Sequence, residues 1–163
     1  MRLFLIVGVA LFLSMVVAGC GHTAVRWRVS SSRPLPQDAP VFVSIQPGPA
    51  LPPDTARFAD VILSMVREHG LKAEIFPGSQ PPGRGAGYLL MVTVHRWRDA
   101  QTQYDGEPDG IDMTVRLTRP GSAEVAGEFD FHAQGSRLAV RDEAAGRLLD
   151  DKLRRAIGQL LRF

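Results

Sequence analysis

The chain reads as an α+β domain: a two-layer sandwich whose mixed, mainly antiparallel sheet of about five strands carries two helices on one face. Three observations predict it. Residues 111–118 and 125–131 alternate apolar and polar side chains with period two, as strands with one wet face do. Residues 58–66 and 145–161 repeat apolar side chains at helical spacing, each presenting one stripe that needs cover. The order is strand, helix, about four strands, helix, so a single sheet can cover both stripes.

The N-terminus precedes the domain and sets its address. Arg2 supplies a positive start, and Leu3 to Val17 is apolar apart from Gly8 and Ser14. Val17-Ala18-Gly19-Cys20 then matches a bacterial lipobox. This is the layout of an export signal and is short for a spanning helix. Residues 1–19 are therefore expected to be a lipoprotein signal peptide, with Cys20 as the lipidation site. A thioether-linked diacylglycerol and an amide-linked palmitate-type chain hold stably, where one chain binds only marginally. Lipidation explains a single cysteine without a disulfide partner in an oxidising compartment. Gly21, not Asp, follows the cysteine; by resemblance to enterobacterial lipoproteins this implies sorting to the outer membrane. The expected location is the periplasmic face of a Gram-negative outer membrane.

Removing residues 1–19 from the 163-residue chain leaves one ordinary domain. That length folds without disulfides or metal. The net charge is only +2, and Lys72 and Lys152 are the only lysines. The sequence pI of about 9.1 thus reflects near balance. No basic cluster is interleaved with aromatics, which argues against nucleic-acid binding, as export does.

Residues 20–39 read as a lipidated tether, polar and proline-broken around Ser30-Ser31-Ser32-Arg33-Pro34, with Ala24 to Val29 a candidate short edge strand. A single α+β domain is expected over 40–163. Val41 to Ile45 is a β-rich run stopped by Pro47-Gly48-Pro49. Asp54 is placed to cap a helix whose apolar face is Phe58, Val61, Ile62, Met65 and Val66, ending at His69-Gly70. Leu71 to Phe76 is a second strand and 77–87 a Gly/Pro-rich loop. Tyr88 to Val94 is apolar on both faces, a central strand running on to Arg98. Residues 100–109 form a hairpin loop, and Arg119-Pro120-Gly121-Ser122 turns the chain between the two alternating strands. The last helix spans about 142–161, weakened by Gly146 and Gly158 by roughly 1 kcal/mol each.

The segment Trp97-Arg98-Asp99-Ala100-Gln101-Thr102-Gln103-Tyr104-Asp105-Gly106-Glu107-Pro108-Asp109 resembles the W-x-D-x-x-T-x-aromatic-x-G-x-P-D run of a family of bacterial lipoproteins of unknown function. The resemblance extends over about 85–163, including Gly135-Ser136 and the closing helix. Arg98 and Ala100 depart from the acidic and basic residues that members often carry there. The resemblance implies a periplasm-facing lipoprotein and brings no catalytic residue.

The same segment concentrates the candidate partner-binding residues: Trp97, Asp99, Thr102, Tyr104, Gly106, Pro108 and Asp109. Aromatics beside polar side chains make good anchors, because a large apolar area is buried while the rim stays wet. The plainer alternative is a hairpin stabilised by its own turn and cross-strand rings. Asp105, Glu107, Asp109 and Gly110 imitate the start of a calcium loop, but the position needing a bidentate glutamate is Arg116. No metal or cofactor is expected. His22, His69, His95 and His132 are scattered without zinc spacing. His95 is expected on the same strand face as Trp97, with Asp99 two residues further on, but no nucleophile motif accompanies them. Residues 78–85 imitate a P-loop without its lysine. The wet face is expected to hold Asp112, Thr114 and Arg116 near Glu128, Asp130 and His132. The expected function is a non-enzymatic binding or adaptor module of the cell envelope, held to the membrane through Cys20 and able to engage an envelope protein. The alternative is a lipoprotein binding a small molecule, glycan or metal.

Overall fold

The computed structural model describes residues 22–29, 35–36, 38–46, 48–50, 52, 54–78, 87–98, 109–135, 149 and 151–162. The elements run β1 (His22–Val29), β2 (Val41–Gln46), α1 (Thr55–Arg67), β3 (Ala73–Ile75), β4 (Tyr88–Arg98), β5 (Gly110–Thr118), β6 (Val125–Gln134) and α2 (Asp151–Leu161). The sheet order is β1-β6-β5-β4-β2-β3. β1, β6, β5 and β4 pair antiparallel in succession, while β4 with β2 and β2 with β3 are parallel. The parallel pair β2–β3 needs a crossover, and α1 supplies it. The architecture is the predicted mixed α+β sandwich.

The core lies between the sheet and the helices. Val41, Val43, Leu90, Val92, Val94, Ile111, Met113, Val115, Leu117, Phe129 and Phe131 form one buried cluster with the apolar stripes of α1 and α2. Burying each large aliphatic or aromatic side chain contributes about 1.5–3 kcal/mol. Asp54 caps α1 as its position predicts, its carboxylate accepting from the Arg57 N–H at 2.9 Å. Gly70 ends the following turn with φ +77°, where a glycine is favoured. Gly158 lets α2 approach that turn: a Cβ there would lie 2.6 Å from the His69 ring.

Four features depart from the sequence reading. The sheet has six strands, because all of residues 22–29, assigned to the tether apart from a candidate edge strand at 24–29, form β1. Val25 and Trp27 pack on the core from this edge, Trp27 lying 5.1 Å from Phe129. The strand expected over Leu71–Phe76 is ladder-paired only at Ala73–Ile75. The closing helix is observed over Asp151–Leu161; Leu149 is at a bend, and 142–148 lie outside the described residues.

The fourth departure concerns β4. Its register shifts between Val94, opposite Met113, and Arg96, opposite Asp112, so His95 is an extra residue in the ladder. A bulge of this kind resets alternation. His95 therefore stays on the wet face while Trp97, opposite Ile111, turns to the core face. His95 and Trp97 are on opposite faces, contrary to regular alternation.

Candidate functional site

Trp97 and Asp109 are the candidate residues that the structure describes. Cys20, Asp99, Thr102, Tyr104, Gly106 and Pro108 lie outside the described residues, as do Asp105 and Glu107 of the calcium-like run. Trp97 sits near the end of β4 and meets Phe58 of α1 edge-on, with centroids 5.6 Å apart and planes at 82°. Such a pair adds about 0.5–1.5 kcal/mol beyond area burial. Its indole N–H is buried and finds no acceptor among the described residues. Asp109 immediately precedes β5, and its carbonyl accepts from the Gly135 N–H at 2.9 Å. That bond fastens the exit of the β4–β5 connection to the end of β6.

The wet face holds the expected ionisable groups together, and the register pairs them. Asp112 faces His132, Thr114 faces Asp130, and Arg116 faces Glu128. Each pair is hydrogen-bonded: His132 Nδ1 donates to Asp112, Thr114 Oγ1 donates to Asp130 at 2.8 Å, and Arg116 Nε donates to Glu128. Arg96 Nε adds a second donor to Asp112, at 2.7 Å. Because the Thr114 proton goes to Asp130, the 2.8 Å contact from His95 Nε2 to Thr114 makes His95 the donor.

Arg28 was missed by the sequence reading. It reaches from β1 to Asp130 at 2.6 Å and to Glu128 at 3.6 Å. Glu128 is only 5% exposed, so two arginines compensate one nearly buried carboxylate. No motif marks Arg28; only the pairing of β1 with β6 brings it there.

Arg28, Met91, Thr93, His95, Thr114 and Arg116 line an open depression of about 200 Å³ on this face. Ligand pockets usually enclose about 300–1,000 Å³. The depression is on the opposite face from Trp97; within it His95 bonds Thr114, while Arg28 and Arg116 turn to Asp130 and Glu128. Among the described residues no three His, Cys, Asp or Glu side chains converge to hold a metal ion.

A separate polar cluster joins the helices. Arg154 of α2 donates to Glu68 at the end of α1, and this hydrogen bond holds the Glu68 carboxyl below its usual range and raises Arg154. The neighbouring His69 is half-buried, its Nε2 without a partner among the described residues. Burial pushes its pKa down, and the charges of Arg162 and Arg154 push the same way against Glu68.

No family model matches the chain, and no curated protein matches it. Solved structures share its fold. A point variant of the PelC dodecamer from Paraburkholderia phytofirmans is similar at TM-score 0.64 and 17% identity, over 86% of this chain and 98% of that one. The PelC dodecamer in a second crystal form gives 0.59 and 17%, over 87% and 99%. Protein XCC0632 from Xanthomonas campestris, assigned to DUF330, gives 0.51 and 12%, over 82% and 88%. At these identities the likeness is one of fold.

Proposed function

We propose that this chain is a lipid-anchored, non-enzymatic binding module on the periplasmic face of a bacterial outer membrane. The observation that carries the reading is Val17-Ala18-Gly19-Cys20 behind an apolar run. The wet face supports the non-enzymatic part: its histidines and carboxylates are engaged in cross-strand pairs that stabilise a sheet. The partner-binding segment is the β4–β5 connection, with Asp99, Thr102, Tyr104, Gly106, Pro108 and Asp109 as contacts and Trp97 fixing its base against Phe58.

Feeding cells a clickable palmitate analogue tests the anchor. Wild type should be labelled and fractionate with outer membranes, and Cys20→Ala should be neither. Cross-linking in living cells then tests the binding segment. An envelope protein captured by wild type and lost with Tyr104→Ala supports an adaptor. Tyr104 is a better probe than Trp97, whose truncation removes packing on Phe58 as well.

A second reading draws on the PelC structures, which are dodecamers: the bound partner is another copy of this chain. Native mass spectrometry of the mature protein distinguishes it, a defined oligomer supporting self-assembly and a monomer removing it. Binding of a small molecule, glycan or metal ranks below both, because among the described residues the open depression is smaller than usual ligand sites.

A further inference from the structure

The strand register fixes which end of the sheet lies nearest Cys20. His22, the first residue of β1, pairs with Gln134 at the end of β6; Gln134 pairs with Gly110 at the start of β5; Gly110 pairs with Arg98 at the end of β4. The start of β1 and both ends of the β4–β5 connection therefore share one end of the sheet. The opposite end carries the β5–β6 turn at 119–124. α2 joins the first end through Lys152, whose Nζ donates to the Thr23 carbonyl at 2.9 Å.

Only Gly21 separates Cys20 from His22. A residue spans at most about 3.3–3.6 Å, so the Cα atoms of Cys20 and His22 are within roughly 7 Å of each other. A tether of twenty residues would let the domain stand away from the bilayer; one glycine does not. We propose that the sheet end formed by His22, Arg98, Gly110 and Gln134 seats directly on the headgroups of the membrane that holds the lipid on Cys20, and this rests on the lipid anchor proposed above. The chemistry suits a headgroup layer: the imidazole of His22, the described residue nearest Cys20, can donate to phosphate oxygens. The seat puts Arg98 and Gly110, the described residues on either side of the β4–β5 connection, at the membrane surface.

The two tryptophans measure the orientation. Trp97 is level with Ile111, Ala133 and Thr23, one step from the seated end. Trp27 is level with Phe129 and Val115, four residues further along β1. At about 3.4 Å per residue the two indoles differ in height by roughly 14 Å. Trp27→Phe leaves Trp97 as the reporter and Trp97→Phe leaves Trp27; phenylalanine keeps a ring against Phe129 or Phe58.

The mature lipidated proteins are reconstituted into phosphatidylethanolamine–phosphatidylglycerol vesicles containing a headgroup-nitroxide lipid, and fluorescence quenching is read. Given that height difference, quenching of Trp97 should exceed that of Trp27 by roughly twofold or more. A long Gly-Ser spacer between Gly21 and His22 should reduce Trp97 quenching while the protein still floats with the vesicles. Equal quenching of the two, stronger quenching of Trp27, or Trp97 quenching that survives the spacer overturns the seat while leaving the anchor standing. Absence of acyl chains on Cys20 by mass spectrometry overturns the anchor and the seat with it.

Discussion

His69 shows how one side chain ties the fold to pH. Its pKa lies below the ordinary 6.5 because burial disfavours the charged ring, and Arg162 adds repulsion. The unfolded chain thus binds a proton at a pH where the folded one does not. The stabilisation is full above about pH 6.5 and is lost as pH falls through the depressed folded value. Urea midpoints should fall on acidification, and His69→Gln should flatten that fall. Gly158 is coupled to the same ring. Glycine to alanine in a helix normally gains about 1 kcal/mol, but here the new methyl would meet the ring. Gly158→Ala alone should therefore not stabilise, whereas on a His69→Ala background it should recover that gain. A double-mutant cycle in urea reads the difference directly.

Cross-strand geometry governs the element scale. The ladder β1–β6–β5 sets Glu128 between Arg28 and Arg116. Arg116→Met should cost about 1–3 kcal/mol, since a nearly buried acceptor loses a donor, and Glu128→Gln added to it should recover part of the loss. At the far end of β4 the bulge at His95 aims Trp97 at α1. Trp97→Ala should cost up to about 3 kcal/mol and Trp97→Phe much less, as thermal or urea unfolding will show. The wet face was legible because period-two patterns put Asp112, Thr114 and Arg116 on one side of β5 and Glu128, Asp130 and His132 on one side of β6; their pairing came from the register. The bulge was not, because an extra residue in a ladder has no compositional mark when apolar and polar positions stay plausible on either side of it.

At the scale of the whole molecule, β1 makes the domain begin at His22. It pairs along β6 and covers Phe129 and Phe131 with Trp27 and Val25. A chain starting at residue 40 should lose that cover, expose the edge of β6 and aggregate. A chain starting at Gly21 should fold cooperatively, and comparing the two by circular dichroism and light scattering checks it. Residues 22–29 were hard to assign from sequence because an eight-residue edge strand rich in exposed positions resembles a polar linker. Its strand character comes from what it pairs with.

The sequence by itself determined the local facts: the Asp54 cap, the two amphipathic helices, and the alternation of β5 and β6. Each follows from residue type at fixed short spacing. Tertiary structure alone decided that β1 closes the sheet, that Arg28 joins Glu128 and Asp130, and that Trp97 and His95 lie on opposite faces. It also decided that Cys20 lies one glycine from the sheet end bearing the β4–β5 connection. These depend on pairing between segments as far apart as His22 and Gln134, and no local pattern specifies a partner at that distance.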